Sequence, residues 1–335
     1  MTKKLPLEHW SGFQHQTCAP LEGGLINGTW QVGEPPIAVI QSLSPIFRPE
    51  VNLDIAAITQ RLSERGVLTP ELLPTDTGDL WFLDEEGCCW RALNWLPGVT
   101  YSKVAKGEMA FEAGAMVARW HAALEDFEHD FQFSRPGAHD TLAHMQKLEE
   151  SLEKGRVHRL YDQVGDVAEQ ILGAWRSWEG RLDGPQMLSH GDLKISNLRF
   201  DAHGKAIALL DLDTMGYLSL DVELGDALRS WCNRSAEDAE NCVFDLANFQ
   251  CAAEGYLSER SLNSEEQEAL PRGVERICLE LASRFAADAL NESYFGWNPS
   301  IAPTQGEHNL LRARGQLSLA QSVRLQIRSM EDALR

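Results

Sequence analysis

Two hydrophobic periods run along this chain and change over near Pro97. From about Pro20 to Pro97 the apolar positions come in short strand-like runs. Thr29-Trp30-Gln31-Val32 and Ile37-Ala38-Val39-Ile40 follow a turn-rich segment, Leu21–Gly28, whose Asn27-Gly28 step between β-favouring residues signals a hairpin. Pro49-Glu50 predicts the start of a helix that reaches Arg65 and stops at Gly66. Strands are predicted around Asp79–Leu83 and Cys88–Trp95, joined by the Asp84-Glu85-Glu86-Gly87 turn.

Beyond Pro97-Gly98 the period becomes helical. Phe111, Ala115, Ala118 and Ala122 recur at three-to-four spacing within Glu108–Phe127. Arg156–Leu182, Glu237–Leu257, Glu266–Phe295 and Asn309–Leu334 read the same way. A β-rich insertion at Gln186–Met215 interrupts them, with strands at Asn197–Phe200 and Ala206–Leu210 around an Asp201-Ala202-His203-Gly204 turn. The expected plan is α+β and bilobal: an N-lobe of residues 1–97, an antiparallel sheet with one helix, and a larger helical C-lobe of residues 98–335, with a cleft between them.

Composition narrows the class of protein. At roughly 150 residues per domain, 335 residues suit two domains or one large one. Hydrophobic residues at 43% and charged residues at 24% are globular proportions. A net charge of −20 argues against nucleic-acid or polybasic membrane binding, both of which need clustered Lys and Arg. No run approaches the ~18 apolar residues of a membrane span. Met1–Gln16 lacks the apolar centre of a secretory signal, and the seven cysteines form no CxxC pair, so reduced thiols and a cytoplasmic setting are expected.

The chemistry concentrates in Leu188-Ser189-His190-Gly191-Asp192-Leu193-Lys194-Ile195-Ser196-Asn197, followed by a strand ending Leu210-Asp211-Leu212-Asp213. Phosphoryl transfer needs a group that aligns the attacking hydroxyl and takes its proton, and a divalent cation to neutralise phosphate charge. Mg²⁺ takes hard oxygen ligands, commonly one or two from the protein. Asp192 on a loop suits the first task; Asn197 five residues later and Asp211 at a strand end suit the second. Asp213 would share the metal or hold a substrate hydroxyl. Asp226 and Arg229, one helical turn apart, would face the substrate or each other. Gly24, Asn27 and Gly28 would bring backbone N–H groups to phosphates, or simply make a tight hairpin.

This HxDxxxxN pattern with its DxD strand end resembles the catalytic loop of protein kinases and of the aminoglycoside and choline phosphotransferases. Asp211-Leu212-Asp213-Thr214, then Gly225-Asp226-Ala227-Leu228-Arg229-Ser230, is similar to the N-acetylhexosamine 1-kinase branch. So are Gly23–Thr29, Ala38-Val39-Ile40-Gln41, Arg284-Phe285 with Tyr294-Phe295, and His308-Asn309-Leu310 with Arg312 and Gln316. The resemblance implies a protein-kinase-like fold and a kinase using ATP and Mg²⁺ on a small hydroxyl compound, in that branch the anomeric hydroxyl of an N-acetylated hexosamine. It implies ATP phosphates under Gly23, Gly24, Asn27, Gly28 and Thr29, and adenine against a hinge at Asn94, Trp95 and Leu96. His190 and Lys194 join Asp192 in the catalytic group, His190 by holding the loop and Lys194 by reaching the γ-phosphate. Gln41 stands where most of the superfamily carries a phosphate-binding lysine, and Glu223 where the branch usually has Asp. An aminoglycoside, amino alcohol or hydroxy-amino acid acceptor, and a non-catalytic nucleotide-binding role, are the rival readings.

Overall fold

In a computed structural model the structure describes residues 5–21, 27–134, 137–235 and 238–335. The N-terminal part is an antiparallel sheet of β1 (Cys18–Pro20), β2 (Gly28–Val32), β3 (Ala38–Ser42), β4 (Leu72–Leu73), β5 (Phe82–Leu83) and β6 (Cys89–Asn94), ordered β1-β2-β3-β6-β4 with β5 also on β6. Alternation divides its two faces. Val32, Ala38, Ile40, Trp90 and Ala92 point to one side and pack with Trp10 and Phe13. Gln41 and Arg91, paired across β3 and β6, share the other side. Helix α1 (Val51–Glu64) covers that face, and its buried Asp54 accepts the backbone N–H groups of Gln132 and Phe133 and so ties the sheet to the helical part.

That part contains α2 (Gly107–Leu124), α3 (Thr141–Lys154), α4 (Tyr161–Arg176), α5 (Leu220–Trp231), α6 (Leu246–Leu257), α7 (Ser264–Asn291), α8 (Gln305–Arg324) and α9 (Ile327–Ala333). Set into it are two ribbons, β7 (Gln186–Ser189) with β10 (Gly216–Ser219) and β8 (Leu198–Phe200) with β9 (Ala206–Leu209). Because Ser189 pairs with Gly216, the loop that leaves β7 and the loop that enters β10 start at the same ribbon end. This places the two chemistry-bearing segments side by side.

The expected mixed architecture is present, with local differences. The helix read from Glu237 begins at Leu246, because the Asp245 side chain caps the N–H groups of Ala247 and Asn248. The helix read over Asn309–Leu334 breaks at Leu325-Gln326 into α8 and α9. Helices α3 and α5 were not among the helical stretches expected, although each carries an apolar face, which it packs on α7. No disulfide links the seven cysteines, all of which lie among the described residues. No helix among the described residues is long and apolar enough to cross a membrane.

Helices α2 and α6 approach through glycines. A Cβ on Gly255 would stand 2.0 Å from the Phe111 carbonyl oxygen, and one on Gly114 2.1 Å from that of Ala252. Backbone cannot yield as a side-chain tip can, so Gly255→Val should cost ~2–3 kcal/mol or more. Denaturant unfolding measures this, and a midpoint matching the unsubstituted chain would show that the helices do not pack as described.

Candidate active site

Strand β7 hands the chain to a loop held from beneath by one carboxylate. The backbone N–H of His190 donates to Glu223 Oε1 at 2.7 Å and that of Gly191 to Oε2 at 3.0 Å. Glu223 lies on α5 and is 2% exposed, with the His121 ring 3.6 Å away. Burial opposes its ionisation, yet the His121 ring and the loop N–H outweigh this and hold it below the usual carboxylate range. Gly191 has φ +80°, and a Cβ there would meet the Thr214 carbonyl oxygen at 2.4 Å. Only glycine lets the two loops lie this close.

His190 is completely buried, and both ring nitrogens are used. Nε2 bonds the Leu210 carbonyl at 2.8 Å and Nδ1 accepts the Asp192 N–H at 3.3 Å. Grouped with the catalytic residues by its motif, His190 acts through position: it fastens the Asp192 loop to the strand end that precedes Asp211.

Asp192 and Asn197 are bonded to each other. Asn197 Nδ2 donates to the Asp192 carbonyl at 2.8 Å and to its Oδ2 at 3.0 Å, and Lys194 Nζ donates to the same Oδ2 at 2.6 Å. With the amide nitrogen committed, Asn197 Oδ1 accepts no hydrogen bond among the described residues. Asp211, in the left-handed region at φ 62°, also receives no donor among them. Its acidity is weakened by burial first and then by the neighbouring carboxylates of Asp213 and Asp192. A desolvated carboxylate without a donor, near an amide oxygen without a donor, is a donor set that suits Mg²⁺, with phosphate and water completing the octahedron. No cluster of three or more His, Cys, Asp or Glu among the described residues offers another cation site.

Asp213 lies elsewhere. Both its oxygens bond Arg91, Oδ1 to Nη1 at 2.6 Å and Oδ2 to Nη2 at 2.7 Å, and Asn27 Nδ2 adds a third donor at 2.7 Å. These bonds, at 2% exposure, occupy the carboxylate that was expected to serve a metal or a substrate hydroxyl. Gln41 is likewise engaged, accepting from Arg91 Nε at 2.9 Å and donating to Thr29 Oγ1 at 3.2 Å. Arg91 was absent from the sequence reading, although an arginine inside the apolar run Cys89-Trp90-Arg91-Ala92-Leu93 is the signal that finds it.

Of the nucleotide loop, Gly23 and Gly24 lie outside the described residues. Gly28 and Thr29 begin β2, with Gly28 under the Trp30 ring. At the hinge, Asn94 pairs with Glu71 through backbone and side chain, the Leu96 carbonyl accepts from Arg199, and the Arg199 guanidinium lies 5.2 Å from the Trp95 ring centroid.

Beyond Lys194 the charges are matched. Asp226 and Arg229 pair at 2.9 Å, and Asp226 is close enough to influence the protonation of Lys194 and His139. His139 and Thr141 hold Glu280; Arg312 and His308 hold Asp238. Asp288 gathers the N–H groups of Ser293, Tyr294 and Phe295 and the Asn309 amide, which fixes the turn bearing Tyr294 and Phe295. Over those two rings lies the Arg284 guanidinium, which makes no ion pair among the described residues but is close enough to Asp226 to help hold its carboxyl below the usual range. Of the C-terminal residues singled out in sequence, Arg284, Phe285, Tyr294, Phe295, Asn309 and Arg312 are thus linked by contacts, whereas Gln316 is buried apart from these bonds.

Residues 17–254, more than half of the chain, match the phosphotransferase enzyme family. The chain belongs to this family. The phosphotransferase is similar in fold to an aminoglycoside phosphotransferase from Alicyclobacillus acidocaldarius, with 14% identity, 98% of both chains covered and a TM-score of 0.64. It is also similar to a microcompartment-associated aminopropanol kinase, with 16% identity, coverage of 98% and 97%, and a TM-score of 0.63. An amicoumacin kinase, solved with AMP-PNP and Ca²⁺, shares 15% identity over 90% of this chain and 89% of that one, with a TM-score of 0.61.

Asp192→Asn keeps the size and hydrogen bonds of the site but removes the base. Turnover should fall ~10²–10⁴-fold with nucleotide affinity nearly unchanged; steady-state assay and calorimetry separate the two, and near-normal turnover would sink the role. Asp211→Ala should raise the Mg²⁺ concentration needed for nucleotide binding, and an unchanged Mg²⁺ titration would count against its assignment.

Proposed function

We propose that this phosphotransferase moves the γ-phosphoryl group of ATP, with Mg²⁺, onto a hydroxyl of a small uncharged polyhydroxylated acceptor. An N-acetylhexosamine or related sugar, phosphorylated at its anomeric hydroxyl, fits best. Mg²⁺, bound through Asn197 and Asp211, would supply charge neutralisation on the phosphate oxygens. Asp192 accepts the hydroxyl proton as the new O–P bond forms and the bond to ADP breaks. Lys194 holds the Asp192 carboxylate by its 2.6 Å bond and offers its charge to the transferring group. An anomeric hydroxyl is more acidic than an ordinary alcohol, which suits a carboxylate base. Alignment of the hydroxyl is worth more than the proton transfer, since effective molarity alone reaches ~7–11 kcal/mol.

The observation that carries the acceptor class is charge balance. A polyamine acceptor calls for carboxylates with no cation of their own. Here Asp226, Asp238 and Glu280 are each paired, and Arg284, which makes no ion pair among the described residues, lends its charge to keeping Asp226 acidic. Such a wall suits hydroxyl and amide oxygens better than ammonium groups. The aromatic faces of Tyr294 and Phe295 beside it offer a surface for a sugar ring.

ADP release with Mg-ATP, measured across N-acetylhexosamines, neutral hexoses, aminoglycosides, amino alcohols and hydroxy-amino acids, tests this. Turnover should be highest for an N-acetylhexosamine, with ³¹P NMR showing a sugar 1-phosphate. Turnover confined to aminoglycosides or amino alcohols would overturn the sugar assignment, and tight nucleotide binding with no turnover on any acceptor would favour a non-catalytic role.

A further inference from the structure

Arg91 is a buried cation in the middle of a sheet, and its donors reach the neighbouring strand, helix α1 and the turn after Asp211. It is 2% exposed on β6, flanked by buried Trp90 and Ala92. Nε donates to Gln41 on the neighbouring strand at 2.9 Å. Nη1 donates to Asn52 of α1 at 3.2 Å, whose own amide nitrogen is turned away to the Pro49 carbonyl at 2.8 Å. The fork of Nη1 and Nη2 takes both oxygens of Asp213. Asp213 also accepts from Asn27, whose Oδ1 in turn accepts the Ser44 N–H at 2.8 Å. One guanidinium thus connects the end of the nucleotide loop, two strands, a helix and the turn after Asp211.

Stability alone does not account for this arrangement. Two ions removed from water are commonly no more stable than a well-packed apolar pair of the same volume. What a fork on a carboxylate provides is orientation, because two parallel bonds fix angle as well as distance. Asp213 lies in the single 3-10 turn Leu212–Thr214 that Asp211 caps in its left-handed conformation. Fixing Asp213 therefore fixes where the Asp211 carboxylate points.

We propose that Arg91 is the positioning residue of the metal site. It keeps Asp213 away from the cation and seats the 212–214 turn against the sheet, so that of the two carboxylates in Asp211-Leu212-Asp213 only Asp211 faces the metal. Through Asp213 and Asn27 it also sets the end of the nucleotide loop against the metal loop. The proposal rests on Asp211 as the metal carboxylate, which the experiment checks separately.

The test is an Mg²⁺ titration of AMP-PNP binding by calorimetry, with thermal melting of each protein alongside. Arg91→Lys retains the charge and loses the fork. Arg91→Met with Asp213→Leu replaces the ion pair by apolar side chains and leaves no uncompensated charge. In both, the Mg²⁺ midpoint should rise ~10-fold or more, as for loss of a group that orients a metal ligand, while the double variant melts near the unsubstituted protein. An unchanged midpoint in either variant, with a raised one in Asp211→Ala, overturns the positioning role and leaves the metal assignment standing. An unchanged midpoint in Asp211→Ala overturns the metal assignment itself. Should the double variant fail to fold, the Arg91→Lys midpoint alone decides.

Discussion

A carboxylate shut away from water must find donors, and Glu223 finds them in the backbone of the catalytic loop. That requirement organises the site. With both oxygens bonded to successive N–H groups, the loop cannot drift from α5 without stranding a buried charge. Glycine at position 191 lets the chain turn under Thr214, and His190 closes the circle by bonding the strand end at Leu210. The side chains Asp192, Asn197 and Asp211 are thereby held together by bonded backbone, while Asn197 Oδ1 and the Asp211 carboxylate receive no donor among the described residues. The Glu223 carboxylate spans both N–H groups.

The sheet side is organised by the opposite charge. Gln41 leaves that face without a lysine, and the cation comes instead from its cross-strand partner Arg91. A lysine offers a mobile point charge, whereas this arginine is committed by its fork to Asp213. The division of labour is clear in the hydrogen bonds. Asp213 is saturated by Arg91 and Asn27, while Asp211, two residues earlier, has no donor and is the one whose acidity is weakened by burial. Adjacent carboxylates in one motif serve different ends because their surroundings differ.

Much of this was legible in the chain before folding. The strand and helix periods placed most of the β-sheet and the long helices. Spacing within His190–Asn197 and after β9 singled out Asp192, Asn197 and Asp211, and the fold brings their two segments side by side. Asp245, a capping residue inside an apparent helix, hid the true start of α6, since capping overrides periodicity where it is geometrically available. Helices α3 and α5 each present an apolar face that α7 covers, and what that face meets is decided by the fold. Arg91 was passed over because a single charge in an apolar strand has no meaning until its partner is known.

The sequence by itself determined which chemical groups are available and how close neighbours along the chain can lie. Asp192, Lys194 and Asn197 interact because two and five residues of backbone leave them little choice. Only the tertiary structure decided which charges cancel. Arg91 meets Asp213 across 122 residues and Arg312 meets Asp238 across 74. For Arg91 and Asp213 burial excludes water and leaves the opposite charge as its replacement, whereas Arg312 and Asp238 pair where they are only partly buried. Desolvation is a property of packed surroundings and cannot be read from local order. It is desolvation that made Asp213 a strut for Arg91 and that weakens the acidity of Asp211.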